Sequence, residues 1–307
     1  MAGNILEIKK QLKSLKNSAK ITKAVELVAG SKMRRSVGLA LKTKSYSNTA
    51  WKLARRLAGG VALNEGDPLF NFLAKPKSGK ETVLIVVTSN RGLCGAFNVN
   101  VVRAAMAFIK KQSVHRIICI GKKGAELLRA KDIPVDQVYE KDDSAKQVAS
   151  VKNVSDYIYS QVKAGVFGKV FVAYTDFKSA LRQTPVLRLV FPFNFDDTTS
   201  HLIENAVGSA QEKDLTSPAS AIDFLFEPSP KEILERLIPN LAETLLFQTI
   251  LESNAAEHSA RMFAMKNATD VALEMHEGLL LVFNKTRQAS ITKELAEISA
   301  GRMALEG

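Results

Sequence analysis

The chain has 307 residues, with 43 Lys plus Arg against 31 Asp plus Glu, giving a formal charge of +12. Its 46% hydrophobic and 24% charged residues exclude wholesale disorder and collagen-like repeats. Two cysteines exclude a disulfide framework, no apolar run nears the roughly 18 residues of a membrane span, and the basic excess predicts an acidic partner.

The first residues, Met1 to Glu7, lack the basic start and apolar core of a secretory signal, which predicts a cytosolic chain, or a matrix one only if already processed. All nine prolines lie between Pro68 and Pro239, so both ends are free to form long helices. Near the N-terminus Ile5, Ile8, Leu12, Leu15, Ala19 and Thr22 step by alternating threes and fours, the seam of a coiled coil. Lys9, Lys10, Lys13, Lys16, Lys20, Lys23, Lys32, Arg34, Arg35, Lys42 and Lys44 lie on the same helix. They form a solvated face or one that fits an acidic protein channel.

The middle of the chain alternates strand and helix patterns. Strands are predicted at 82–88, 115–120, 169–174, 186–193 and 222–226, with helices at 98–112, 125–131 and 144–164. This predicts a parallel sheet covered by helices, with 196–220 as a surface loop. Ala272, Met275, Leu279, Val282, Thr286 and Ala289 repeat the 3-4 stepping near the C-terminus. The two ends are therefore expected to pair with each other; the alternative is that each is an amphipathic helix on a compact bundle. The fold class is α/β: an antiparallel coiled coil of long N- and C-terminal helices plus a central Rossmann-like α/β domain. The expected boundaries are 1–67, 68–228 and 229–307.

No catalytic constellation stands out. Residues 88–95 leave a strand and enter a helix, where phosphates often bind, but they lack both the Lys-Ser/Thr ending of a P-loop and the three-glycine spacing of a dinucleotide site. A tight turn is the favoured reading. Cys94 and Cys119 read as buried, inert thiols, and His115, His201, His258 and His276 are too scattered to share a metal. Glu257 beside His258 is expected to be solvated or at an interface, because helix neighbours do not face each other. No cofactor, metal or catalytic residue is assigned. Two other readings stay open: a nucleotide-binding α/β enzyme with helical extensions, and a basic coiled-coil nucleic-acid binder, the latter disfavoured because no aromatic residues interleave with the charges.

Three segments resemble the gamma subunit of the F-type ATP synthase. They are 21–34, from Ile21 to Arg34; 89–98, with Ser89-Asn90-Arg91-Gly92-Leu93-Cys94-Gly95; and 257–270 together with 284–295. Asn90 stands where the family usually has Asp, Val25 where it often has Met, and Arg302 where it tends to be small and apolar. The 196–220 loop is long for the family. The resemblance implies a non-catalytic rotor whose terminal helices turn inside a ring of alpha and beta subunits. Its α/β foot would sit with the epsilon subunit on the membrane c ring, without nucleic acid. It implies that Arg261, Arg287 and Gln288 contact the beta subunits, and that Asp223, Phe224, Leu225, Phe226 and Glu227 contact the c ring. The implied location is peripheral, at the cytoplasmic face of a bacterial inner membrane.

Overall fold

The computed structural model describes residues 2–59, 61, 67, 69–74, 79–144, 147–193 and 226–306. In chain order the elements are α1 (Ala2–Gly59), α2 (Phe70–Leu73), β1 (Glu81–Val87), α3 (Phe97–Lys111), β2 (Arg116–Ile120), α4 (Lys122–Arg129), β3 (Gln137–Tyr139), α5 (Lys152–Lys163), β4 (Phe167–Phe177), β5 (Gln183–Phe191) and α6 (Pro230–Glu306). They fall into two compact units, Ser31–Ala260 and Met1–Gly30 with Arg261–Gly307.

In the larger unit the strand order is β3-β2-β1-β4-β5. β1 runs parallel to β2 and β4, and β2 parallel to β3. β5 returns antiparallel to β4, which corrects the all-parallel expectation. The physical reason is the connection: residues 178–182 suffice for a hairpin and are far too few for a parallel crossover. Pro185 is tolerated because β5 is an edge strand. The period-2 alternation of β1 sends Leu84 and Val86 to one face, against Val101, Ala105 and Leu128 of α3 and α4. Val83, Ile85 and Val87 face the other side, where α5 contributes Ile158 and Val162, α1 Ala54 and Leu57, and α6 Leu234, Ile238 and Leu241.

Several element boundaries differ from the sequence expectation. β3, with three residues, has no counterpart in it, and α5 begins at Lys152 after a 3-10 turn at Val148–Val151 rather than at 144. α4 starts at Lys122, so Gly124 lies inside the helix rather than in the preceding turn. A Cβ on Gly124 would come within 2.5 Å of Thr88 Oγ1, and this glycine lets α4 approach the end of β1. The expected loop at 196–220 lies outside the described residues, as does all but Phe226 of the strand expected at 222–226.

α1 and α6 are single helices of 58 and 77 residues. α6 places Pro230 in its first turn, where a missing N–H costs nothing, and runs through Pro239 without breaking. Proline therefore marks the start of this helix and not, as its distribution suggests, a barrier beyond which the helix begins.

In the smaller unit the two ends pair as an antiparallel coiled coil. Thr22 and Thr269 share a hydroxyl hydrogen bond of 2.6 Å across it. Counting outward from that bond in opposite directions places Ala19 level with Ala272, Leu15 with His276, Leu12 with Leu279, Ile8 with Phe283 and Ile5 with Thr286. Burial follows this register: Ile8, Leu12, Ala19, Met265, Thr269 and Ala272 are buried, and His276, Leu279, Phe283 and Thr286 are half-buried. The C-terminal seam expected from the sequence is thus one residue out of phase at alternate steps. Met275 is 58% exposed and Val282 51%, with His276 and Phe283 in their places. An antiparallel partner reverses the order of the 3- and 4-residue steps, so the stepping of α1 must be mirrored, not repeated, in α6.

Candidate functional site: the crevice at the carboxyl ends of the strands

In a doubly wound sheet ligands bind outside the carboxyl ends of the strands, at the point where strand order reverses. Here that point lies between β1 and β4, flanked by the turn at 88–96 and the hairpin at 178–182. It is filled by the chain's own helix α6. Ala256 packs against Cys94 and Phe97, with Phe177 and Ala260 closing the same cluster. Ser259 Oγ donates to the Ala180 carbonyl at 2.8 Å. Every residue of α6 from Thr244 to Ser259 is buried, about four turns with no solvent-facing side.

The turn after β1 is spent on internal bonds. Thr88 Oγ1 accepts from the Gly124 N–H at 2.9 Å and donates to the Gly121 carbonyl at 3.2 Å. Ser89 N–H donates to Asn98 Oδ1 at 3.0 Å. Asn90 brackets the backbone of Lys141, receiving its N–H at 3.1 Å and donating to its carbonyl at 2.6 Å. This agrees with the tight-turn reading of 88–95. Both thiols are buried as expected, and burial pushes the Cys119 thiol up to about 12, where it is inert.

Lys141, which carries no signal in the sequence, is the charge at the centre of this crevice. Its ammonium is buried on Glu257 Oε2 and lies 5.4 Å from the centre of the Phe97 ring. Asn254 Nδ2 donates to the Asp142 carbonyl at 2.9 Å, and His258 Nε2 lies 3.4 Å from the Asp143 carbonyl. Glu257 and His258, expected at a solvated or interface position, are 1% and 2% exposed. They do not face each other, as helix geometry requires, but both face the 141–143 segment.

A second buried carboxyl, Glu252, sits five residues earlier on α6. Burial pushes the Glu252 carboxyl up to about 7, against the opposing pull of Arg188 and of the Gln248 amide, which donates to Oε1 at 3.2 Å; Asp176 pushes it up further. Arg188 lies 5.4 Å from the Tyr174 ring centre, and burial together with the Glu252 charge holds the Tyr174 hydroxyl well above its ordinary value.

The residues singled out by resemblance do not come together. Arg287 and Gln288 are exposed neighbours on α6, while Arg261 lies 26 residues back, about 39 Å along the helix. Phe226 is half-buried against the core beneath the sheet, and Glu227 is exposed beside a hollow of about 250 Å³ with Glu232 and Arg236. Asp223, Phe224 and Leu225 lie outside the described residues. Among the described residues no cluster of three His, Cys, Asp or Glu could hold a metal ion, and no helix is long and apolar enough to cross a membrane.

These features define a class of protein: an α/β domain with a doubly wound sheet whose crevice is occupied by one of its own helices, and an antiparallel two-helix coiled coil formed by the chain's ends. Residues 4–305 match the family described as ATP synthase. The chain is 33% identical over 304 residues to an ATP synthase gamma chain from Pelotomaculum thermopropionicum, covering 99% of each, and 37% identical to one from Herpetosiphon aurantiacus, covering 97% of this chain and 98% of that one. Its fold is similar to the rotor of the Euglena gracilis mitochondrial ATP synthase in rotational state 1, with a TM-score of 0.60 at 18% identity, covering 95% of this chain and 100% of that chain. The OSCP/F1/c-ring structure from the same organism in rotational state 3 gives 0.64 at 20% identity, covering 99% and 95%. The chain belongs to the ATP synthase gamma chain family.

Proposed function

We propose that the chain is the non-catalytic central shaft of a rotary ATP synthase, coupling ion flow through a membrane c ring to ATP synthesis in an alpha/beta ring. The observation that carries the non-catalytic part is the occupied crevice. Where a doubly wound domain takes a nucleotide, this one holds Ala256, Glu257 and Ser259 of its own α6. A helix of 77 residues, continuous from the α/β domain into the coiled coil, supplies a mechanical path in place of a chemical one. The family further suggests that Arg261, Arg287 and Gln288 meet the beta subunits. It also suggests that the segment from Asp223 to Glu227 meets the c ring beside an epsilon subunit, and that the assembly is peripheral to the cytoplasmic face of a bacterial inner membrane. The exposed lysines of α1 suit an acidic channel in the alpha/beta ring.

Native purification of the tagged Glu227→Cys chain tests both levels of this reading. Alpha and beta subunits should co-purify, and the new thiol should cross-link to a c subunit. Micromolar ATP binding to the purified chain alone would overturn the shaft reading, and cross-links confined to alpha or beta would overturn the foot placement.

A further inference from the structure

The crevice does more than exclude a ligand. Around residues 253–260 the apolar contacts of α6 are made by small groups, Ala255, Ala256 and Ala260, which offer little steric registry. Apolar burial is also non-directional, so it resists extraction of the helix better than it resists rotation about its axis. At this turn direction comes from the polar partners, with Ser259 also bonded to the Ala180 carbonyl, whereas up to about three turns earlier the large side chains of Leu245, Phe247, Ile250 and Leu251 set it by packing. Asn254, Glu257 and His258 project from one side of α6 onto three successive residues, Lys141, Asp142 and Asp143. That segment is itself clamped to the turn after β1 by the two bonds of Asn90. Turning α6 by a single residue, about 100°, would carry Glu257 off Lys141 and pull apart two opposite charges in a buried setting, where separation is costly.

We propose that Lys141 and Glu257 form a torsional latch that fixes the rotation of α6 about its own axis within the α/β domain, so that twist applied to the domain enters the helix at this turn. Lys141 is a positioning residue; it touches no substrate. Neutral residues of similar volume would keep the folded domain about as stable, since a buried ion pair is seldom a net source of stability, but they would supply no directional bond against rotation. The latch is therefore distinguished by what it does under torque, and in that respect the inference rests on the shaft reading.

The test uses the intact ATP synthase carrying Lys141→Met with Glu257→Met, which removes both charges while keeping volume. The expected result is normal assembly and thermal stability. The angular fluctuation of a bead fixed to the α/β domain, with the alpha/beta ring stalled, should rise about twofold or more, the low end of what a residue in a coupling path contributes. Ion pumping per ATP hydrolysed should fall in parallel. Unchanged fluctuation and pumping in an assembled double variant would overturn the latch. If the double variant fails to assemble, Glu257→Gln, which removes one charge of the pair at nearly unchanged volume, decides: raised fluctuation supports the latch and wild-type stiffness refutes it. Failure of the unaltered chain to co-purify with alpha and beta subunits would instead refute the shaft reading.

Discussion

Glu252→Gln isolates the energetic consequence of a carboxyl buried on α6 within the α/β domain. In the unfolded chain this carboxyl titrates near 4.5; in the folded protein burial holds it at about 7. The folded state therefore prefers the neutral form. Its stability is fully present below about pH 4.5, declines as pH rises toward 7, and levels off above that. The interval of roughly 2.5 pH units, at about 1.4 kcal/mol per unit, sets the loss at order 3 kcal/mol. The substituted amide would carry no charge at any pH and would keep an oxygen for the Gln248 amide. Urea unfolding of the full chain between pH 5 and 8 should show a declining midpoint for the wild type. The variant should lie near it at about pH 5 and be more stable by order 3 kcal/mol at about pH 8. Parallel profiles for the two proteins would refute the reasoning, because they would mean that Arg188 fully neutralises the buried carboxylate.

Leu279→Asp, placed opposite Leu12, should cost about 2 kcal/mol by burying part of a charge, whereas Val282→Asp on the exposed side should stay within about 0.5, both read from thermal melts of the purified chain. Equal effects would restore the unmirrored seam. Gly121→Ala should lower stability by about 2–4 kcal/mol, since φ is +109° and the new Cβ would come within 2.3 Å of the Thr88 carbonyl oxygen; Gly38→Ala, with open space around it in α1, should raise stability by up to about 1 kcal/mol; denaturant midpoints of the two variants check both signs. In reconstituted vesicles, Arg287→Ala with Gln288→Ala should reduce ATP synthesis and coupled hydrolysis far more than assembly, and wild-type rates would deny these exposed residues a coupling role.

What the sequence discloses follows the strength of its periodicities. α1, β1, α3 and β2 are legible because their patterns run for several repeats and end at turn residues. β3 is not, since Gln137-Val138-Tyr139 is too short to establish an alternation. The antiparallel turn of β5 is not either, because the strands read from the sequence end at 174 and resume at 186, and only the extension of β4 to Phe177 and of β5 back to Gln183 shortens the link to a hairpin. The phase of the C-terminal seam is ambiguous on its own: Met275 and Val282 compete with His276 and Phe283 around the shared Leu279, and only the partner helix breaks the tie. Glu257 and His258 escape a sequence reading because charged residues on a long helix are ordinarily solvated, and nothing local reveals that a helix is enclosed on all sides. Lys141 carries no local signature; its role depends on a helix residue 116 positions away.

The seam of the coiled coil is built from unequal pairs. Ala19 with Ala272 and Thr22 with Thr269 are small, whereas Ile8 with Phe283 and Leu12 with Leu279 are large. Interaxial distance follows side-chain size, from about 8 Å for small contacts to about 10 Å for large ones, so side-chain size predicts a narrower stretch, a waist, at the threonines. The bending rigidity of two parallel rods grows with the square of their separation, which makes the waist softer than the wider stretch by a factor of about 1.5. A load applied sideways to the pair is therefore absorbed first at the waist. Under the same load the stretch from Ile8 to Leu12 curves less, by that factor of about 1.5, than the small-residue stretch about two to three turns away from it.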